Sequence, residues 1–242
     1  MRTVAIARTT TLAAAVLTVL AGFLAKGPAN AAAQTDQPAA ASEPAATKPA
    51  VRRLVNQSAV GQLITVTAAS RTTTYATFRV YQVTGAKRTE VFGPWTARVG
   101  YNGIAAPGTK REGDGRSPSG TYGFSFFFGV APDPGVAFPY RHAYSYDYWD
   151  DDPASPRYNE WVDARTASPG LNPEPMHHVP AYDYAAVIAY NTARTPGLGS
   201  AIFLHVGTGG PTAGCVSLPV SELLKVLRWL EPKDHPTITI TG

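Results

Sequence analysis

Between Gln62 and Ser70 (QLITVTAAS) and between Thr74 and Val83 (TYATFRVYQV), apolar and polar residues alternate, and Thr, Val and Tyr are frequent. A period of two sends one set of side chains to each face, so both stretches are predicted as half-buried strands. TEVFGPWTARVG, residues 89–100, continues the pattern, with Gly93-Pro94 predicted as a turn or bulge. GTYGFSFFFG (120–129), YDYAAVIAYN (182–191) and SAIFLHV (200–206) read as further strands, the second with an apolar centre and the third running out at a histidine. HPTITITG (235–242) closes the chain as an alternating strand. One helix is predicted in PVSELLKVLRWLEP, where Leu223, Leu224, Leu227 and Leu230 form a stripe and Pro232 ends it. Many short strands, loops rich in Gly and Pro, and a single late helix predict a mostly β fold of the sandwich type.

The segment ahead of the strands is different. Arg2 and Arg8 precede an apolar run from Leu12 to Ala25, and small residues follow at Ala29, Ala31 and Ala33. This is the layout of a secretory signal peptide over residues 1–33, cleaved after Ala31 or Ala33. The apolar run is short beside the roughly 20 residues of a membrane span, so no span is expected after cleavage. Residues 34–58 are rich in Ala and Pro without an apolar period, which predicts a flexible linker. Residues 59–242 are expected to form one globular domain, large enough for a well-buried core.

Export changes the charge balance. The formal net charge of the chain is +4, but residues 1–33 hold three bases (Arg2, Arg8 and Lys26) and no acid, leaving about +1. A near-neutral domain without a basic run has no electrostatic footprint for nucleic acid. No HExxH or paired-cysteine spacing supports a zinc site. DYWDDDP (147–153) lacks the alternating ligands and central glycine of a calcium loop and is expected to be a solvated acidic turn with a packed Trp149. GDGRSPSG (113–120) ends without the Lys-Ser/Thr of a phosphate loop and is not the elbow of a serine hydrolase; turns bordering a cleft are expected there. His177 and His178 are adjacent, so their side chains point different ways, and a surface loop is expected to carry them. His142 and His235 read as ordinary polar positions.

The sole cysteine, Cys215, has no internal disulfide partner, so it is a free reactive group or an intermolecular link. It follows the loop GTGGPTAG rather than sitting within an apolar run, and loops on a rigid sheet are where reactive groups are placed. His205 stands at the end of a strand ten positions earlier. A strand end, a glycine loop and a cysteine would bring imidazole and thiol within hydrogen-bond reach, the arrangement that lowers a thiol's pKa and activates it. Gly214 lets backbone N–H groups approach a carbonyl as an oxyanion hole. The spacing alone leaves a chance pairing of His and Cys on one loop open.

FLHVGTGGPTAGCVSL resembles the active-site signature of the YkuD-type L,D-transpeptidases, a strand-end His followed by a Gly-rich loop and Ser/Thr-x-Gly-Cys. KREGDGRSPSGTYGF (110–124) resembles that family's upstream segment, and the likeness runs from about Gln62 to Gly242. The resemblance implies a β-sandwich with the cysteine on an edge loop and a peptidoglycan stem peptide as partner. Cys215 would be the nucleophile that forms a thioester and expels D-alanine. His205 would take and return the proton. Thr212, Ala213 and Gly214 would line the oxyanion and substrate side, with backbone donors from Gly214 and Cys215. No metal or organic cofactor is implied, and a monomer at the cell wall is expected.

Two departures stand out. The stretch from His205 to Cys215 is shorter than is usual in the family, and Ser217 stands where many members carry an arginine; Arg111, Arg116 and Arg141 are candidates to take its place. Three functions stay open: a transpeptidase, an L,D-carboxypeptidase with the same dyad, and a non-catalytic wall-binding protein on the same scaffold.

Overall fold

The computed structural model describes residues 60–242; the expected signal peptide and the whole of the expected linker lie outside the described residues. Three long strands come first: β1 (Val60–Thr67), β2 (Tyr75–Thr84) and β3 (Lys87–Arg98). β2 and β3 are joined by a tight hairpin in which Gly85, at φ 60°, takes the left-handed position that such two-residue turns demand. β3 bulges at Gly93, where the pairing with β2 shifts register. A Cβ at Gly93 would lie 2.7 Å from the carbonyl oxygen of Phe78, so only glycine fits. The predicted turn or bulge at Gly93-Pro94 is thus a bulge within a continuous strand.

The next strands are shorter: β4 (Gly120–Tyr122), β5 (Phe124–Gly129), β6 (Tyr140–His142), β7 (Asp147–Trp149), β8 (Trp161–Asp163), β9 (Glu174–Pro175), β10 (Ala185–Ile188), β11 (Phe203–Val206) and β12 (Val216–Leu218). Helix α1 (Val220–Trp229) and strand β13 (Thr237–Thr241) complete the chain. Ten strands form one sheet in the order β4-β13-β1-β2-β3-β12-β11-β10-β5-β6, and β8-β7-β9 form a three-stranded sheet. Among the described residues the architecture is mostly β with a single α-helix, as the pattern predicts.

The large sheet curls until its ends meet. β4 and β5 are one run of chain interrupted at Gly123; the first half pairs with β13 and the second with β10. Tyr122 of β4 meets Tyr190, just beyond β10, with ring centroids 5.4 Å apart. The curl encloses a core in which Ile64 and Val66 of β1 and Phe78 and Val80 of β2 join Phe127, Leu204 and Leu218. α1 turns Leu223, Val226 and Leu227 into this core, and Leu230 follows just past its end. Leu224, expected on the buried stripe, is only half-buried, and Val226 takes its place. The i, i+3, i+4, i+7 set of Leu223, Val226, Leu227 and Leu230 is the narrower face that a 3.6-residue period generates. Buried Gln62 joins the helix end to β1: its Nε2 donates to the carbonyl of Trp229 (2.8 Å), and its Oε1 accepts from the N–H of Glu231 (2.7 Å).

A second cluster lies on another face of the sheet. Phe128, Phe203 and Cys215 pack there against Trp149, Met176 and Tyr182, which belong to the small sheet and the segment after it. The functional site forms between this layer and the face of β11 and β12.

Candidate active site

β11 and β12 are parallel neighbours joined by the loop 207–215. Parallel neighbours more often need a long crossover; here a loop rich in glycine makes the return between two interior strands. His205 pairs with Ser217 across the two strands. Side chains alternate along a strand, so Phe203 and His205, and Cys215 and Ser217, share one face. This brings two residues ten positions apart in sequence into one cavity of about 300 Å³, lined by His205, Cys215 and Ser217 on the sheet side.

The Cys215 loop is pinned at the cysteine carbonyl. The oxygen of Cys215 accepts from the Thr212 hydroxyl (2.7 Å) and from the Ser117 hydroxyl (3.0 Å). Ser117 is fully buried, and its oxygen in turn accepts from the N–H of Gly100 (3.0 Å). The segment GDGRSPSG, expected only as turns beside a cleft, therefore supplies a clamp on the cysteine. Thr212 also accepts from the N–H of Gly214 (3.2 Å), so one expected oxyanion donor is engaged here. Gly214 packs closely enough that a Cβ would lie 3.1 Å from the carbonyl oxygen of Arg116. Thr212 lines the cavity, and Ala213 lines it from an exposed position.

The thiol and imidazole share the cavity, but the thiol's hydrogen bonds go to the backbone. Cys215 Sγ accepts from the N–H of Phe203 (3.3 Å) and donates to the carbonyl of Ala201 (3.2 Å). Ala201 sits at φ 50°, an uncommon position for a side-chain-bearing residue. His205 Nδ1 meets the carbonyl of Val206 at 2.9 Å. A carbonyl can only accept, so Nδ1 carries a proton there and Nε2 is left as the basic nitrogen. Burial pushes His205 down to about 4, against a smaller opposing effect of the Val206 carbonyl. Burial pushes the Cys215 thiol well up, and the nearby charge of Glu174 adds to this. The expectation of a thiol with a lowered pKa is corrected: both groups are neutral at rest, because the cavity removes them from water and sets carboxylates beside the sulfur.

Those carboxylates were not expected at the site. Glu112, Asp151 and Glu174 line the same cavity. The Ser200 hydroxyl sits between Glu112 Oε2 (2.7 Å) and Asp151 Oδ1 (2.8 Å). Tyr158 donates to Glu112, and Tyr182 donates to Glu174. Burial, then the charge of Glu174, pushes Asp151 up to about 8. Burial, only partly offset by the Tyr182 hydroxyl, pushes Glu174 up to about 7. Lys110 is instead committed to Asp114 Oδ1 (2.7 Å). Burial acts to raise Asp114, yet the Lys110 hydrogen bond and the N–H groups of Arg111 and Arg116 outweigh it and hold the group down.

The stretch 147–153 is therefore not the solvated acidic turn expected. Trp149 packs as expected, but Asp150 is fully buried and Asp147 nearly so. Asp147 accepts from the Trp161 indole (3.0 Å), and Asp150 accepts from Ser155 (2.5 Å), so their burial is compensated by hydrogen bonds. Tyr182 joins the two halves of the site: besides Glu174, its ring stands edge-on to His205 with centroids 5.5 Å apart. The likeness of the upstream segment was the signal for Ser117 and Glu112; Asp151, Glu174 and Tyr182 carried none.

Of the paired histidines, His178 lines the cavity and stands edge-on to Tyr182 (5.6 Å), while His177 lies exposed. Neither Arg111, Arg116 nor Arg141 lines the cavity. Arg98 of β3 is instead the residue paired with Ser217, and its guanidinium lies over the ring of Tyr75 at 3.7 Å. Among the described residues, no group of His, Cys, Asp and Glu is placed to hold a metal ion. Among them, too, no helix is long and apolar enough to cross a membrane.

Residues 61–240 match the family model of the YkuD L,D-transpeptidase catalytic domain, and the chain belongs to that family. No curated protein matches it. Among solved structures, the chain is similar to the helical cell shape determining protein Pgp2 (K307A mutant) from Campylobacter jejuni. The two share 14% identity at a TM-score of 0.39, over 76% of this chain and 48% of that one, so this chain spans about half the length of that protein.

Proposed function

We propose that the protein is an exported cell-wall L,D-transpeptidase that uses Cys215 as its nucleophile. The observation that carries this reading is the placement of Cys215 within the family-matching region: its carbonyl is pinned by Ser117 and Thr212, and its side chain shares a cavity with His205 on the adjoining strand. The substrate is a peptidoglycan tetrapeptide stem. Sγ attacks the carbonyl of the L-configured third residue as its proton passes to His205 Nε2, and the C–N bond to D-alanine breaks. The leaving amine takes the proton from His205. A thioester remains on Cys215 until the amine of a neighbouring stem displaces the sulfur. His205 is neutral at any pH above about 4, so its Nε2 lone pair is open to receive the thiol proton. The N–H groups of Gly214 and Cys215 serve the oxyanion once the Gly214–Thr212 contact opens. Residues 1–33 direct export, and residues 34–58 space the domain from the membrane or wall.

The test is to incubate the protein with a tetrapeptide-stem muropeptide and record intact-protein and product masses. Wild type gains an acyl mass on Cys215 with loss of D-alanine, and Cys215→Ala gains none. Cross-linked dimers identify a transpeptidase, and tripeptides alone identify a carboxypeptidase. A Cys215→Ala chain that still releases D-alanine overturns the mechanism.

A further inference from the structure

A second cavity, of about 610 Å³, lies apart from the Cys215 cavity and shares no lining residue with it. It forms where β6 and the turn after it meet β8 and the residues that follow. The acids on its lining are spent. Asp147 accepts from the Trp161 indole (3.0 Å) and from the N–H of Tyr144 (2.8 Å), and Asp163 is held by Arg165 Nη2 at 2.6 Å. The remaining cations are not. Arg141 forms no ion pair among the described residues; its guanidinium lies over the rings of Trp161 (4.9 Å) and Phe126 (5.2 Å). Arg157 has only Glu160 at 3.9 Å, and that carboxylate is also paired with Arg194. The cavity therefore carries guanidinium groups in excess of the acids that could neutralise them.

The aromatic lining is an independent observation. Tyr144 and Tyr146 are stacked, with centroids 5.1 Å apart and planes 14° from parallel, and the Arg165 guanidinium lies over Tyr146 at 3.6 Å. Tyr144 nevertheless stays 47% exposed. This surface is fixed in advance, because the nearly buried Asp147 holds both the Trp161 indole and the backbone of Tyr144. A tyrosine offers an apolar ring with a hydroxyl at its tip. A pyranose offers the complement, a C–H face ringed by hydroxyls. A guanidinium laid on aromatic rings keeps its edge N–H groups free to meet the two oxygens of a carboxylate. Arg141 and Trp161 also line a neighbouring cavity of about 470 Å³, so the surface has room for more than one sugar.

We propose that this cavity binds an acidic oligosaccharide, with a sugar ring against Tyr144 and Tyr146 and a uronate carboxylate on the fork of Arg141. A neutral sugar leaves Arg141 without a partner, and an acidic peptide leaves the tyrosine face without a rigid ring to cover it. The site stands apart from the Cys215 chemistry, and neither reading depends on the other. Bound in this way, the domain is held to an acidic polysaccharide while the Cys215 cavity stays open, since the two linings have no residue in common.

The experiment measures binding of a glucuronate–N-acetylglucosamine tetrasaccharide to the protein by calorimetry. Two controls accompany it: chitotetraose, which has the rings without the charge, and N-acetyl-diglutamate amide, which has the charge without the rings. The acidic tetrasaccharide is expected to bind about tenfold or more tightly than either, as a bidentate charge-assisted contact added to ring packing requires. Arg141→Gln, in a chain that melts as wild type does, should bring it down to the level of chitotetraose. Tyr144→Ala should weaken both sugars and leave the diglutamate compound unchanged. Equal affinity of the acidic and neutral sugars for wild type overturns the proposal, whether or not the variants fold. Equal affinity of the diglutamate compound also overturns it, since the surface would then answer to charge alone. A preference that survives in both folded variants places the sugar elsewhere. A tetrasaccharide that protects Cys215 from iodoacetamide occupies the other cavity, and that result overturns the assignment too.

Discussion

The hydroxyl of Ser117 donates to the carbonyl of Cys215 at 3.0 Å, joining residues 98 apart in the chain. The upstream glycine-rich segment and the cysteine loop are thereby one unit, and the backbone of Cys215 is held from two directions by Ser117 and Thr212.

Ser117→Ala removes that donor and strands the buried N–H of Gly100, which donates to the same oxygen. A loss of about 1–3 kcal/mol is expected for leaving such groups unsatisfied. Urea denaturation measures it, and acylation of Cys215 should slow in the same variant. Unchanged stability would show that Thr212 alone holds the loop.

Cys215 should react slowly with iodoacetamide. Burial and the neighbouring carboxylates keep the thiol protonated, so its alkylation rate at pH 7–8 should fall below that of a free cysteine and still be rising above pH 9. Glu174→Gln removes a negative charge near the sulfur and should speed alkylation at a fixed pH. Rapid alkylation with a plateau near neutral pH would instead mean a thiolate–imidazolium pair.

Stability should depend on pH with a definite sign. Glu174 is raised from 4.5 to about 7 and Asp151 from 3.8 to about 8, so the folded chain keeps protons that the unfolded chain has lost. Their contribution is fully present below the unfolded values and is lost as pH rises through 7 and 8. His205, lowered from 6.5 to about 4, acts oppositely: its share of stability falls as pH drops from 6.5 toward 4. Above pH 6.5 the carboxyls act alone among these groups. Melting temperature should therefore decline from pH 6.5 to 8.5 in wild type, and less steeply in Glu174→Gln; equal slopes would refute the assignment.

Gln62→Leu keeps the side chain's approximate size but deprives the Trp229 carbonyl and the Glu231 N–H of their partners. A cost of about 1–3 kcal/mol is expected, since both groups are buried or partly so. The midpoint of chemical denaturation reports it.

Legibility followed length and period. β1, β2 and β13 show strict alternation and were readable, because one face of each meets the core while the other does not. β6 to β9 are two or three residues long, too short to show any period, and β12 is buried throughout, which hides alternation. α1 was readable from its leucines, but Val226 and not Leu224 completes its buried face.

The same division runs through the site. The residues themselves determined that a lone cysteine follows a glycine loop after a strand-end histidine, and their likeness to one family supplied the chemistry to look for. Loop composition and strand pattern are local properties, so a linear reading reaches them. Only the tertiary structure decided that the thiol rests against the carbonyl of Ala201, that Ser117 grips its backbone, and that Glu112, Asp151 and Glu174 close in from three separate segments. A pKa is set by burial and by charges that approach through space, and neither is written in the order of residues along the chain.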